Sequence, residues 1–398
     1  GHTGLNVAAQ FKHMNIPSLL VESNLRIGDS WRKRYPTLAL HSPKSNSQLL
    51  YQPFPKSWPV YTPRDKIADW LEQYAESEDL VIWTNSRPLP GPTYDSTSHR
   101  WTVVVDRAGE HVTLNPAHIV VAAGALGAPN VPTMDNRAAF DGPVIHCADY
   151  KGGEPFAGKR VVVVGAGNTS ADICQDLSFR GAESVTMVQR SSSYVVSSAS
   201  VREMVERWYP EGIETDVADI LLTGKPIPLM QRVAEETEAS MLEQQKETHK
   251  GLREAGFSLV TNKALFSLFY GGYGGFDVGC ADLIRSGKVK IKHGVEIARL
   301  EKNSVIFTDG SSVEADAIVL ATSFKSIRDS MRDVFGDSII DQTAPVWGLD
   351  EEGELRGVFR PSGHPGLWFA AGEFYTSRVR PKQLALEIKA IELGLLKL

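Results

Sequence analysis

Apolar residues along the chain recur at two spacings, and each change of spacing marks an element. Leu5, Val7, Ala8 and Phe11 follow Gly4 at intervals that share one helical face, and IPSLLVE then reads as a short buried strand ending on Glu22. Val161 to Val164 form a β-branched run, the composition of a strand buried on both faces. The pattern after it turns Ile173, Cys174 and Leu177 inward on a helix, and SVTMVQR follows as the next strand. RWTVVVDR and HVTLNPAHIVVAAGA read as further strands, ahead of the proline-rich GAPNVPTM. HIVVAAG, ADAIVLATS and GLWFAAGEF share one form, a short apolar strand running into small residues. Small residues admit close approach of a cofactor or another domain, and an ordinary strand with a tight turn has the same form. From about residue 195 to 275 the strand–helix alternation breaks. PLMQRVAEETEASMLEQQKETHKGLREAGF is polar and helix-favouring, and FYGGYGGFD is a glycine–aromatic loop. This excursion is either a cover over a substrate entrance or a solvent-facing helical insertion. PKQLALEIKAIELGLL closes the chain as an amphipathic helix.

Two of the turns carry chemistry. Gly1, His2, Thr3 and Gly4 read as the latter half of G-x-G-x-x-G, with Gly1 its middle glycine and Gly4 its third. Glycines there let backbone amides approach a pyrophosphate at a helix N-terminus, and Glu22 stands where an acid takes a ribose diol. The first glycine and the strand before it are absent from this sequence. A turn that no strand fixes should hold a dinucleotide poorly, so a chain extended by an apolar strand is expected to retain more of it. The second turn is complete: in KRVVVVGAGNTSADICQDL, Gly165, Gly167 and Ser170 fill G-x-G-x-x-[GS]. The strand after it ends on Gln189 and Arg190 instead of an acid. An arginine there pairs with a 2′-phosphate and favours NADPH over NADH; the alternative is an exposed arginine at a strand end. Two such units in one chain imply two nucleotides, most economically a flavin dinucleotide in the first and a nicotinamide in the second.

Composition narrows this further. A chain of 398 residues, 42% hydrophobic and 23% charged, has the length for two or three globular domains. A net charge of −6 gives no reason to expect nucleic acid or an anionic membrane as partner, and no apolar run is long enough to span a bilayer. Cys147, Cys174 and Cys280 are widely spaced, which disfavours a dithiol centre or a zinc knuckle and suits a reducing cytoplasm. Neither H-E-x-x-H nor G-x-S-x-G occurs, so metal and acyl-transfer chemistry have no motif to stand on.

FDGPVIHCADYKGGEPFAGKRVVVVGAGNTS carries a resemblance. Phe140, Gly142, His146 and Tyr150 fill the F-x-G-x-x-x-H-x-x-x-[FY] pattern of the flavin-containing monooxygenases, in its place just before the second fingerprint. LHSPKSNSQLLYQPFPKSWPVYTP looks like the plant indole-3-pyruvate (YUCCA-type) branch, while VWGLDEEGELRG and LALEIKA look like microbial and fungal members. The resemblance implies an α/β fold of two Rossmann-like three-layer domains. A discontinuous FAD domain (1–147 and 326–398) would enclose an NADPH domain (148–325). It implies FAD at Gly1, His2, Thr3, Gly4, Glu22 and Trp31, and NADPH at Gly165, Gly167, Asn168, Thr169, Ser170 and Arg190. Gly124, Ala321, Thr322 and Gly372 would also line the cofactors. NADPH would reduce the flavin, dioxygen would add to give a peroxyflavin, and one oxygen atom would pass to a small molecule. That substrate would be a nitrogen or sulfur nucleophile or a 2-oxo acid.

His41 stands where many members place an asparagine beside the flavin, either donating to peroxide or nicotinamide or simply packed and satisfied. His146 would be structural, at the junction of the domains. Ser323 in ATSF replaces a glycine of the family and puts the tightness of that turn in question; Pro381 suits a first helical turn. Three alternatives remain. A Baeyer–Villiger enzyme would carry tryptophan at the position of Tyr150, and a disulfide reductase would need paired cysteines. The third is a truncated chain that no longer holds flavin. The oligomeric state stays open between monomer and homodimer.

Overall fold

The valine run sits at the centre of a five-stranded parallel sheet in the computed structural model, which describes residues 1–124, 126–260 and 274–397. Strand order across this sheet is Val289–His293, Ser184–Gln189, Arg160–Val164, Ala317–Leu320 and Val144–His146. Alternate valines serve opposite faces. Val161 and Val163 pack with Ile173, Cys174 and Leu177 of the helix Asn168–Phe179. Val162 faces Leu300, Val305 and Phe307 of a three-stranded antiparallel sheet. Covering both faces is what an uninterrupted β-branched strand requires, and it makes the unit three layers deep. The edge strand Val144–His146 belongs to this sheet, although the sequence places the domain boundary after residue 147.

The other unit is assembled from both ends of the chain. Leu20–Val21 pairs in parallel with Ile82–Trp83, and Ile119–Val121 pairs in parallel with Leu367–Phe369. The opening helix, His2–His13, spans these two pairs: Leu5 and Ala9 join one apolar cluster, Val7 and Phe11 another. Gly4 lies between the pairs, where an added Cβ would touch Ala122 Cβ at 3.4 Å and Leu20 Cδ2 at 3.7 Å. An antiparallel meander around Arg100–Arg107 flanks the unit, burying Trp101, Val103 and Val105 at every second position. Of the three look-alike strands, those at 119 and 367 pair with each other, while that at 317 joins the other sheet. The closing helix, Pro381–Glu392, starts on its proline.

The excursion has a core of its own. It opens on Tyr194–Ser197, paired in parallel with Gly274–Asp277, and continues through helices Ser198–Trp208, Thr215–Thr223, Ile227–Gln244 and Lys246–Glu254. Tyr194, Val196, Val205, Tyr209, Ala218 and Leu222 are buried together. The long polar run breaks at buried Gln245, whose amide accepts from Ser197 N at 3.1 Å and donates to Ser200 Oγ at 2.6 Å. Of the glycine–aromatic loop, residues 269–273 lie outside the described residues. No helix among the described residues is long and apolar enough to cross a membrane.

Candidate functional site

The second fingerprint forms because only glycine fits its turn. Gly165 has φ +129°, and a Cβ there would lie 2.4 Å from the Ala321 carbonyl oxygen and 2.8 Å from Ser170 Oγ. Ala321 is held by its own amide, which donates to Val164 O at 2.8 Å. Gly167 caps the helix in an extended conformation and has nothing within 4 Å of an added Cβ, so its backbone edge is open. The first helical bond there is Ala171 N to Gly167 O, which leaves the amides of Asn168, Thr169 and Ser170 without helical acceptors at the positive end of the dipole. Among the described residues, Ser170 Oγ is buried without a partner. Open amides and an orphaned hydroxyl fit a pyrophosphate. Beside the turn, Thr322 Oγ1 donates to Asn130 O at 2.6 Å.

The two residues that close the following strand do different work. Gln189 is fully buried and spends its side-chain amide on Ser258, accepting from its N and donating to its O, both at 2.8 Å. Arg190 is 76% exposed in its side chain and rests 3.3 Å from Glu296 Oε1, so its guanidinium is free to turn toward a ligand.

The first fingerprint is tied to the end of the chain. His2 Nε2 lies 3.0 Å from Gly372 O, and its ring stacks on Phe374 with centroids 4.3 Å apart. Trp31 is tilted against both rings. Desolvation lowers the His2 pKa to about 4, so the ring is neutral at pH 7 and donates its Nε2 proton to the carbonyl. Thr3 Oγ1 is 2.7 Å from Ser377 Oγ. Gly372 has φ +149°, and a Cβ there would meet Thr376 at 2.8 Å. Glu22, at the end of its short strand, accepts from Asn24 N at 2.9 Å and from Asn24 Nδ2 at 2.8 Å. Gly124 takes a positive φ of 103° in the turn after Ile119–Val121. Phe374 and Ser377 carry no local sequence signal; only their place after GLWFAAG pointed to this end of the site.

His41 is brought to the second-fingerprint helix. Its Nε2 lies 3.0 Å from Asp172 Oδ1, one turn into the second-fingerprint helix, and Tyr35 Oη donates to Asp172 Oδ2 at 2.6 Å. Desolvation pulls the His41 pKa down, but the hydrogen bond and charge of Asp172, with Asn168 alongside, leave it raised. The ring is therefore packed and partnered. Asp172 was missed from sequence; a carboxylate next to Ile173 on the inner side of an apolar helix was the available signal.

The four residues of the F-x-G-x-x-x-H-x-x-x-Y pattern each meet the chain around them closely. Phe140 packs against Val162 and Leu300 below the sheet. Gly142 lies so close to Asp316 that a Cβ would come 2.1 Å from its carbonyl oxygen. His146 Nε2 lies 3.1 Å from Ser323 O, while its Nδ1 accepts from Ala148 N at 3.2 Å. Tyr150 Oη donates to buried Asp176 at 2.8 Å. Ser323 takes φ +67°, so the turn keeps the shape a glycine would give it. A non-glycine residue pays about 1–2 kcal/mol in that region, partly offset by the extra freedom glycine gains when unfolded. Ser323→Gly is therefore expected to stabilise the protein by up to about 1 kcal/mol in a denaturant melt. A lower midpoint would contradict the strain.

The flavin-binding monooxygenase-like family model matches residues 30–340. Indole-3-pyruvate monooxygenase YUCCA1 of Oryza sativa subsp. japonica is 33% identical over 333 residues, covering 82% of this chain and 75% of that protein. The probable indole-3-pyruvate monooxygenase YUCCA9 of Arabidopsis thaliana is 29% identical over 394 residues, covering 97% and 84%. The open crystal structure of cyclohexanone monooxygenase superposes with a TM-score of 0.69 at 16% identity, covering 99% of this chain and 86% of that one.

Proposed function

The chain belongs to the flavin-binding monooxygenase-like family, as an NADPH-dependent enzyme that uses FAD, and from that premise we propose that it oxygenates a small 2-oxo acid. Its likeness, over most of its length, to proteins named for indole-3-pyruvate supports this. A nitrogen or sulfur nucleophile is the substrate class that a negative result with 2-oxo acids would favour.

When bound, the flavin supplies the two-electron and dioxygen chemistry. The chain supplies binding, orientation and exclusion of water. The amides of His2, Thr3 and Gly4 would hold the flavin pyrophosphate, with Glu22 on the ribose. Those of Asn168, Thr169 and Ser170 would hold the nicotinamide dinucleotide, with Arg190 on its 2′-phosphate. His2, Trp31 and Phe374 form an aromatic wall beside Gly372 that would keep water from a bound flavin. His41, bonded to Asp172, ties the loop after Tyr35 to the nicotinamide helix and fixes the spacing of the two units. His146 would hold the carbonyl of Ser323 at the junction of the units. Cys147, Cys174 and Cys280 are all free and buried, which gives a disulfide-reductase reading no exposed thiol to use.

Offering the purified enzyme phenylpyruvate, a thioether and a cyclic ketone in turn separates the classes. The balanced reaction for the first is R-CO-COOH + O₂ + NADPH + H⁺ → R-COOH + CO₂ + H₂O + NADP⁺. Release of CO₂ with the shortened acid is expected. Turnover of the thioether alone, or lactone from the ketone alone, would overturn the 2-oxo-acid assignment.

A further inference from the structure

The excursion touches both nucleotide units. At one end, Phe276 N, in the strand paired with Tyr194–Ser197, donates to Asn168 Oδ1 at 2.8 Å, the first residue of the second-fingerprint helix. At the other, Asp219 meets Arg378 of the short helix Phe374–Val379, with 3% and 1% of their side chains exposed. Arg378 Nε donates to Asp219 Oδ2 at 2.8 Å and its Nη2 to Oδ1 at 2.7 Å. Its Nη1 donates to Asn46 O at 2.9 Å and Gln48 O at 3.0 Å, and its Nη2 also to Tyr209 Oη at 3.2 Å. Every N–H of the guanidinium is engaged. Tyr209 Oη in turn donates to Asp219 Oδ1 at 2.8 Å. The adjacent Ser377 faces the other way, to Thr3 Oγ1 at 2.7 Å and Gly372 O at 3.2 Å. One helical turn thus joins the flavin turn to the excursion.

Burying an ion pair is a poor route to stability, because apolar residues of the same volume serve as well or better. What a saturated fork supplies is a unique geometry. We infer that Arg378 is a positioning residue: it fixes residues 194–260 as a wall on the flavin side, so that electrons from NADPH reach substrate. The loss it suppresses is NADPH + H⁺ + O₂ → NADP⁺ + H₂O₂. The inference rests on the monooxygenase reading above for its chemistry, and on the hydrogen bonds alone for the clamp.

Three variants test it: Arg378→Lys, Asp219→Asn, and the charge-free pair Arg378→Met with Asp219→Leu. Flavin per chain, the rate of tryptic cutting within residues 198–254, and hydrogen peroxide formed per NADPH consumed are measured on each. The single variants are expected to be cut about tenfold faster and to release several times more peroxide per NADPH at equal flavin content. The charge-free pair keeps packing but loses the fork, so it should resist trypsin better than either single variant and still leak peroxide. Parent-like peroxide yield in that pair would show a merely structural role and overturn the inference, as would unchanged cutting in the single variants. A parent protein that consumes no NADPH would overturn both the leak and the function proposed above, and the cutting rates would then decide the clamp alone.

Discussion

Gly142→Ala is expected to cost about 3 kcal/mol of stability, the upper part of the range for forcing a methyl group into closed packing. The new Cβ would lie 2.1 Å from Asp316 O and 2.8 Å from Asp316 C, and both are backbone atoms that cannot swing aside. Either the edge strand Val144–His146 or the strand Ala317–Leu320 must move, and Ile318 N bonds Pro143 O at 2.9 Å across that seam. Ala321, one residue past the second strand, presses its carbonyl on Gly165. The displacement should therefore reach the second fingerprint and weaken NADPH binding along with the fold. Thermal melts and NADPH titrations of the same preparation check both effects. An alanine variant as stable as the parent would show that the contact at Asp316 is not what the pattern's glycine serves.

Arg190→Ala is expected to weaken NADPH binding by about 1.5–3 kcal/mol, the worth of a hydrogen bond to a charged group, and to leave NADH nearly unchanged. In the structure Arg190 rests against Glu296, with side chains 76% and 60% exposed. An exposed pair of that kind is worth about 0–1 kcal/mol, less than a 2′-phosphate offers, so the arginine exchanges partners on binding. Competitive titration with both nicotinamides decides the matter. Equal losses for the two would remove Arg190 from the 2′-phosphate and make it a surface residue.

Both glycine turns, the valine strand, the excursion and the closing helix were legible in the sequence, because each is written in residues close together along the chain. The open backbone at Gly167 and the glycine-only turn at Gly165 follow from the fingerprint itself. The contacts that hold the units to one another were not legible. Asp172 meets His41 across 131 residues and Arg378 meets Asp219 across 159, and no local periodicity encodes a partner at such a separation. The pairing of Val144–His146 with Ala317–Leu320 was not legible for a related reason: a strand so short carries no period. His41 was legible as a residue of interest and not as a partner of the second-fingerprint helix, since Asp172 lies far from it along the chain.

The enzyme is expected to take electrons from NADPH into a bound flavin and to deliver one atom of dioxygen to a substrate. Purified protein carrying FAD is mixed with NADPH without air, and air containing isotopically labelled dioxygen is then admitted together with a 2-oxo acid. The visible flavin band should bleach with one NADPH per flavin and return on aeration, and one labelled oxygen atom should appear in the shortened acid. A flavin band that NADPH leaves unbleached, or a product free of label, would contradict that transfer.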